Sequence, residues 1–273
     1  MSTTNTRERA AARARLERQM ADKLESARKR KQRLIIAAAA AGILLVAGGV
    51  VWAVTSLDKG STTATPTESE QPANNCIWTP DDPAQNPDLK DVGAPPTGLA
   101  PNKGTQTMTM NTSLGAIEIE MNTAKAPCTA RSMTYLASKN FFDNTKCHRL
   151  TTEGIKVLQC GDPSGKSTGG PTYKLAEENL PDFTDDLKNY PVGTIAMANT
   201  GQPSSTGSQF FIVWGDTPLP GKYTVLGKVT KGIELVQEAA KAGAKNPETG
   251  EDANDGSPKT EVQVKTVTVT PPQ

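Results

Sequence analysis

The sequence predicts a mainly β domain, a closed barrel with two α-helices placed to cap its ends, carried behind a single transmembrane helix and a proline-rich linker. Three observations predict it. Residues 34–57 contain no charged side chain, as a membrane segment requires. Residues 58–104 hold eight prolines among Ser, Thr, Asn, Asp and Gln, a composition that favours extended, solvated backbone. From residue 105 on, short runs of alternating apolar and polar residues are split by turn residues and by two well-separated helical patterns. The chain therefore divides into an arm (1–33), a membrane segment (34–57), a linker (58–104) and a folded domain (105–273).

The arm holds eleven Lys or Arg against four Asp or Glu, in a chain whose net charge is only +1. Leu16, Met20 and Leu24 make a thin apolar stripe on it. Two readings fit: a solvated topology signal, or a basic helix lying on anionic lipid. Without an aromatic side chain to stack on bases, the arm predicts no nucleic-acid partner. The apolar run from Leu34 to Val54, residues 34–54, would span roughly 31 Å as a helix, against a hydrocarbon core of about 30 Å. That exceeds the roughly 7–15 residues of a cleaved signal peptide's apolar core, so an uncleaved anchor is expected. Arg28, Lys29, Arg30, Lys31 and Arg33 abut its N-terminal side, whereas Asp58 and Lys59 cancel on the other. The positive-inside rule then predicts a single-pass protein of the cell membrane, N-terminus cytoplasmic and folded domain outside. Within the linker, Asn75-Cys76-Ile77-Trp78 stands out as apolar and suggests that its end docks on the domain.

In the domain, Met108 and Met110 alternate with polar residues, a turn follows at 111–115, and Ile117, Ile119 and Met121 alternate again, which reads as a β-hairpin. Pro127 opens a helix that runs to about Ser138. Strands are expected at 146–150, 157–160, 193–199, 209–213 and 225–229, with a Gly/Ser/Pro-rich loop at 161–171. A second helix covers 233–242 and stops at Gly243. In the last strand, 261–270, the apolar parity flips at Lys265-Thr266, which predicts a bulge. One histidine, His148, and four cysteines without a Cys-x-x-Cys pair argue against a multi-histidine metal site and a zinc ribbon. No metal or other cofactor is expected.

Five blocks carry a resemblance: Cys147-His148-Arg149-Leu150, Gln159-Cys160-Gly161-Asp162, Met197-Ala198-Asn199, Gly207-Ser208-Gln209-Phe210-Phe211-Ile212 and Leu219-Pro220-Gly221-Lys222. In this order they resemble the cyclophilins, peptidyl-prolyl cis-trans isomerases, and in particular the membrane-anchored cyclophilins of actinobacteria. The resemblance covers about residues 105–270. It implies an eight-stranded antiparallel barrel and cofactor-free isomerisation of X-Pro bonds in exported proteins, with proline-containing polypeptides as partners.

The resemblance also implies roles. Arg149 would weaken amide resonance at the prolyl nitrogen. Gln159 would orient it or grip the substrate carbonyl. Asn199 would hold the substrate backbone through main-chain groups, with Ala198 and Thr200 beside it. Gln209 would contact the side before proline. Val157, Phe211 and Leu219 would form the apolar slot for the proline ring, with Tyr223 at its edge. One of Phe210 and Phe211 must face the core instead, because neighbours on a strand face opposite ways. By the same parity His148 points away from the site and reads as a structural, hydrogen-bonded residue.

The sequence departs from the family pattern in places. Lys156 falls where the slot usually has a phenylalanine, unless Ile155 fills in. Pro218 replaces the tryptophan associated with cyclosporin, which implies only weak binding of that ligand. Ser167 stands where a glycine is common. Lys156 keeps a second reading open: a membrane-tethered module or chaperone that binds proline segments with little or no turnover. Among the cysteines, Cys147–Cys160 fails a parity test on regular strands if Arg149 and Gln159 share a face. Cys76 bonded to one cysteine of the domain is expected instead, with free thiols as the alternative.

Overall fold

The structure, a computed structural model, describes residues 74–272. The basic arm, the apolar run and the first part of the linker lie outside the described residues. Among the described residues no helix is long and apolar enough to cross a membrane.

Four two-residue strands come first: β1 (Asn75–Cys76), β2 (Thr79–Pro80), β3 (Leu89–Lys90) and β4 (Gly98–Leu99). The expected hairpin is β5 (Gln106–Thr112) and β6 (Ala116–Met121), followed by helix α1 (Pro127–Ser138). Next come β7 (Thr145–Lys146), β8 (Arg149–Thr151), β9 (Val157–Cys160), β10 (Gly170–Pro171) and β11 (Tyr173–Lys174). A single helical turn, α2 (Asp186–Asn189), precedes β12 (Thr194–Met197), β13 (Phe210–Val213) and β14 (Val225–Lys231). Helix α3 (Ile233–Lys241) leads to β15 (Ala244–Lys245), β16 (Asp252–Ala253), β17 (Asp255–Pro258) and the final β18 (Gln263–Val269).

Twelve strands form one sheet in the order β16-β15-β17-β8-β9-β13-β12-β14-β6-β5-β18-β7. This corrects the expected closed eight-stranded barrel, because the ladder has two ends, β16 and β7, that do not pair with each other. The cause lies at residues 146–150, where one strand was expected and two form. β7 pairs with β18, and Cys147 continues that edge by donating to the Val262 carbonyl. After His148 the chain switches partners, and β8 pairs with β9 and β17. Here the covalent chain, not a hydrogen-bonded ladder, links the two sides.

The core follows from alternation. Met108, Met110, Ile117, Ile119 and Met121 all point inward from the hairpin, and Leu150, Leu158, Ile195, Met197, Phe210, Ile212 and Leu226 meet them from the other strands. In β18 the register shifts between Val264 and Thr266, which is the expected bulge; Val264 and Val267 both stay buried. Helix α3 contributes Val236, Ala239 and Ala240 to the core. It ends before Gly243, whose φ of +85° suits glycine in a helix stop.

Helix α1 has Pro127 in its first turn and no side-chain cap of its own. Its free N–H groups are met from a distant loop. The Glu178 carboxylate accepts from the Cys128 and Thr129 amides at 3.1 and 2.8 Å, and from the Thr129 hydroxyl at 2.8 Å. A carboxylate there is also favoured by the helix dipole.

From residue 74 the expected linker is a strap packed on the domain. β1 pairs with β4, β2 with β11 and β3 with β10. Cys76 and Ala100 are buried with Cys128 and Leu175, and Trp78 meets Tyr173 edge-on at 5.4 Å. Arg131 of α1 donates to the carbonyls of Pro96, Gly98 and Leu99. A proline-rich stretch builds no core of its own, but this one uses the domain's.

All four cysteines are bonded, Cys76 to Cys128 and Cys147 to Cys160. The first is the staple expected for the linker's end. The second overturns the parity argument against it. That argument assumed a regular strand through 147–149, but Cys147 lies in the break between β7 and β8. It therefore turns into the same core as Cys160, Leu150 and Leu158, while Arg149 faces outward.

Candidate active site

Strand register assembles the site. Arg149 lies directly opposite Gln159 on β8 and β9, and Gln159 directly opposite Phe211 on β13. Opposed residues share a face, so all three project from the outer side of the sheet. Val157 opposes Val213, and Ala196 on β12 opposes Phe211. The result is a second apolar cluster: Val157, Tyr190, Ala196, Phe211 and Val213 are buried, with Ile155, Ala198, Leu219 and Tyr223 packed against them. Phe210 belongs to the core and Phe211 to this cluster, so the adjacent pair splits as strand parity requires.

Polar groups line up beside the slot. The Arg149 Nη1 donates to Gln159 Oε1 at 3.3 Å, and Gln159 Nε2 donates to Gln209 Oε1 at 2.8 Å. Gln209 Nε2 in turn donates to the carbonyls of Ser167 and Gly169 at 3.1 and 2.9 Å. On its other side the guanidinium grips Asp255, with Nε to Oδ1 at 2.7 Å and Nη2 to Oδ2 at 2.6 Å. The pair holds the Asp255 carboxyl below its ordinary range, and Asp255 raises Arg149. Arg149 is thus charged and anchored while its side chain remains 37% exposed.

The Asn199 side chain ties its own loop, donating to the Lys222 carbonyl at 2.9 Å and accepting from the Gly201 amide at 3.0 Å. Both polar ends of the side chain are thus taken up within the protein. Thr200 is exposed, and its amide donates to Ser205 Oγ at 3.1 Å. Ala198, Asn199, Thr200 and Gln209 line a cavity of about 430 Å³ beside the slot, and Asp88 and Leu89 of the strap form part of its wall. Among the sequence-predicted residues, Arg149, Gln159 and Gln209 form one hydrogen-bonded row. Val157, Phe211, Leu219 and Tyr223 belong to the apolar cluster beside it.

Tyr190 was not anticipated. Its hydroxyl donates to the Tyr223 carbonyl and accepts from the Tyr223 amide, at 3.1 and 2.9 Å. Burial pushes its pKa up to about 12. The Phe211 and Tyr223 rings meet edge-on at 5.5 Å, and Tyr190 packs on both. A tyrosine before Pro191 in a loop carries no periodic signal. Asp255 was missed for a similar reason, since it reaches Arg149 across 106 positions of chain.

Two expectations are corrected. Lys156 does not occupy the slot. Alternation along β9 puts Val157 and Gln159 on one face, and Ile155, in the bend before the strand, packs on the same cluster as Val157. Lys156 instead lies against Gly215, where an added Cβ would come within 2.6 Å of its Cδ. His148 is not hydrogen-bonded: both ring nitrogens are buried without a partner among the described residues. Burial lowers its pKa, Asp162 pulls the other way, and Arg149 adds to the lowering. Pro218 is exposed. Ser167 sits at φ +72°, a conformation glycine adopts more easily.

Residues 107–269 match the family described as cyclophilin type peptidyl-prolyl cis-trans isomerase/CLD. The match takes in more than half of the chain, and the chain belongs to that family. A probable peptidyl-prolyl cis-trans isomerase B of Mycobacterium leprae is 40% identical over 203 residues, covering 71% of this chain and 66% of that protein. The protein of the same description from Mycobacterium tuberculosis is 40% identical over 206 residues, covering 71% and 63%. The chain thus spans a little under two thirds of these relatives' length. A cyclophilin-type isomerase of Cryptosporidium parvum superposes with a TM-score of 0.51 at 23% identity, over 62% of this chain and 99% of that one. That likeness concerns the fold. The same protein has also been crystallised in the presence of the dipeptide Ala-Pro.

Proposed function

We propose that the chain is a peptidyl-prolyl cis-trans isomerase acting on proline-containing segments of exported polypeptides. One observation carries the reading: a fixed guanidinium and the Gln159 amide stand in register beside an apolar cluster that includes Val157, Phe211, Leu219 and Tyr223. Rotation about an X-Pro bond faces a barrier of about 18–20 kcal/mol because the amide has partial double-bond character. No covalent bond breaks. In the twisted amide the prolyl nitrogen regains a lone pair, and an Arg149 N–H donated to it stabilises that form over either planar one. A 10⁵-fold acceleration needs roughly 7 kcal/mol of such selective stabilisation. The slot holds the ring, while Gln159, Gln209 and the 198–200 loop hold the chain before it, so that rotation is confined to one bond.

The alternative of a binding module or chaperone without turnover was favoured by Lys156, and that support falls away with Ile155 in the cluster. The cell-membrane location, with the N-terminus cytoplasmic and the domain outside, rests on residues 34–54 and the flanking charges. The two disulfides are consistent with an oxidising compartment. Weak cyclosporin binding is part of the same reading, with Pro218 in place of an aromatic wall.

The test is two-dimensional exchange NMR on an Ala-Pro peptide with the full chain. Exchange far above the uncatalysed rate is expected, together with at least a tenfold loss in Phe211→Ala. Exchange at the uncatalysed rate by a folded protein would overturn the proposal.

A further inference from the structure

We propose that Asp255 is a positioning residue for Arg149, an assignment that rests on the isomerase reading above. The guanidinium has five N–H donors. Asp255 takes one on Nε and one on Nη2, and Gln159 takes one on Nη1. The remaining two, one on each terminal nitrogen, are the donors left for substrate. Two partners at an angle fix both the plane of the fork and its rotation. One partner alone would leave the plane free to swing about the remaining bond.

The local structure holds Asp255 as firmly as it holds Arg149. Asp255 lies opposite Thr151, and Gly256 opposite Leu150, on the strand that carries the arginine. β17 is also clamped from behind by β15, at Ser257–Lys245 and Pro258–Ala244. At Gly256 an added Cβ would meet the Lys245 carbonyl oxygen at 2.3 Å, so only glycine lets the strands approach this closely. The short strands of residues 244–258, which alternation did not reveal, thus deliver one carboxylate to the back of the guanidinium.

Exposure distinguishes positioning from stabilising. The side chains of Arg149 and Asp255 are 37% and 56% exposed. A pair so open to water adds little to folding stability. Its bidentate geometry still restricts a long, flexible side chain. The consequence is felt in the rate of the bound substrate more than in its binding, because a misdirected fork fails the twisted amide but leaves the apolar slot intact.

The experiment measures kcat and KM separately for the full chain and for Asp255→Ala, Asp255→Asn and Asp255→Glu, with Arg149→Ala alongside. Asp255→Ala is expected to lose about tenfold in kcat with KM changed less than twofold. Asp255→Asn keeps one acceptor and should lose about threefold, and Asp255→Glu should exceed Asp255→Asn. The ¹⁵N-detected Nε–Hε resonance of Arg149 should be protected from solvent exchange in the parent protein and lose that protection in Asp255→Ala. Full kcat in a folded Asp255→Ala protein, with Arg149→Ala inactive, overturns the positioning role while leaving the active site in place. Full activity in Arg149→Ala removes the arginine from the reaction and overturns this assignment, whereas a folded parent protein without turnover overturns the isomerase reading itself.

Discussion

The strap at residues 74–104 and the strand pair β8–β9 are each closed by one disulfide, and the two bonds serve different ends. Cys76–Cys128 spans 52 positions and ties a segment without a core of its own onto α1. Cys147–Cys160 spans only 13 and joins the segment just before β8, which carries Arg149, to the end of β9, which carries Gln159. Chain-entropy reasoning assigns roughly 4 kcal/mol to a loop of the first size and roughly 3 kcal/mol to the second. The longer bridge therefore does more for stability. The shorter one lies at the proposed site, two residues before the arginine and one after the glutamine. Stability and activity should therefore separate, because only the shorter bridge ties the chain beside Arg149 to the chain beside Gln159.

That separation can be broken in order of size. Replacing Cys76 and Cys128 by serine should lower unfolding free energy by about 4 kcal/mol in urea titration, while kcat of the folded protein stays within about twofold. Replacing Cys147 and Cys160 should cost about 3 kcal/mol and, unlike the first pair, reduce kcat severalfold, because the register of Arg149 against Gln159 is loosened. If the two variants lose activity equally, the comparison fails. Glu178→Ala removes the acceptor for three donors at the start of α1, beside the strap's anchor Cys128. A loss of about 2 kcal/mol is expected, with kcat unchanged.

Tyr190→Phe should cost about 1–2 kcal/mol, because it strands the Tyr223 amide, and should raise KM more than it lowers kcat. The same tyrosine gives a pH dependence. Its ordinary pKa of 10.0 rises to about 12 in the fold, so folding favours the neutral hydroxyl. The stability it contributes is fully present below pH 10 and is lost as pH rises through 12. Spectrophotometric titration at 295 nm should show Tyr190 ionising well after a free tyrosine, and stability declining over that window in the parent protein but not through this group in Tyr190→Phe.

Legibility followed the range of the interactions. The hairpin, both longer helices and the bulge at Lys265-Thr266 were readable because alternation and helical spacing are local, and the core needs them on one face. Arg149, Gln159, Gln209 and Phe211 stand in the five family blocks and Tyr223 directly follows the last, and the strand register sets Arg149, Gln159 and Phe211 side by side. What escaped was non-local or irregular. The break at Cys147-His148 hid the second disulfide, since parity holds only along an unbroken strand. Asp255 and Tyr190 act on residues far along the chain, from loops or two- to four-residue elements without a period. The strap looked like linker because its proline content says only that it makes no core of its own.

The most direct test compares Arg149→Ala and Arg149→Lys with the parent chain in the Ala-Pro exchange measurement, with circular dichroism confirming the fold. If an oriented planar guanidinium drives the rotation, both variants should fall at least a hundredfold in kcat/KM, because the lysine ammonium cannot hold Asp255 and Gln159 and still present a fixed donor. A lysine variant within a few fold of the parent would contradict that account, leaving charge alone, or the slot alone, as the source of catalysis.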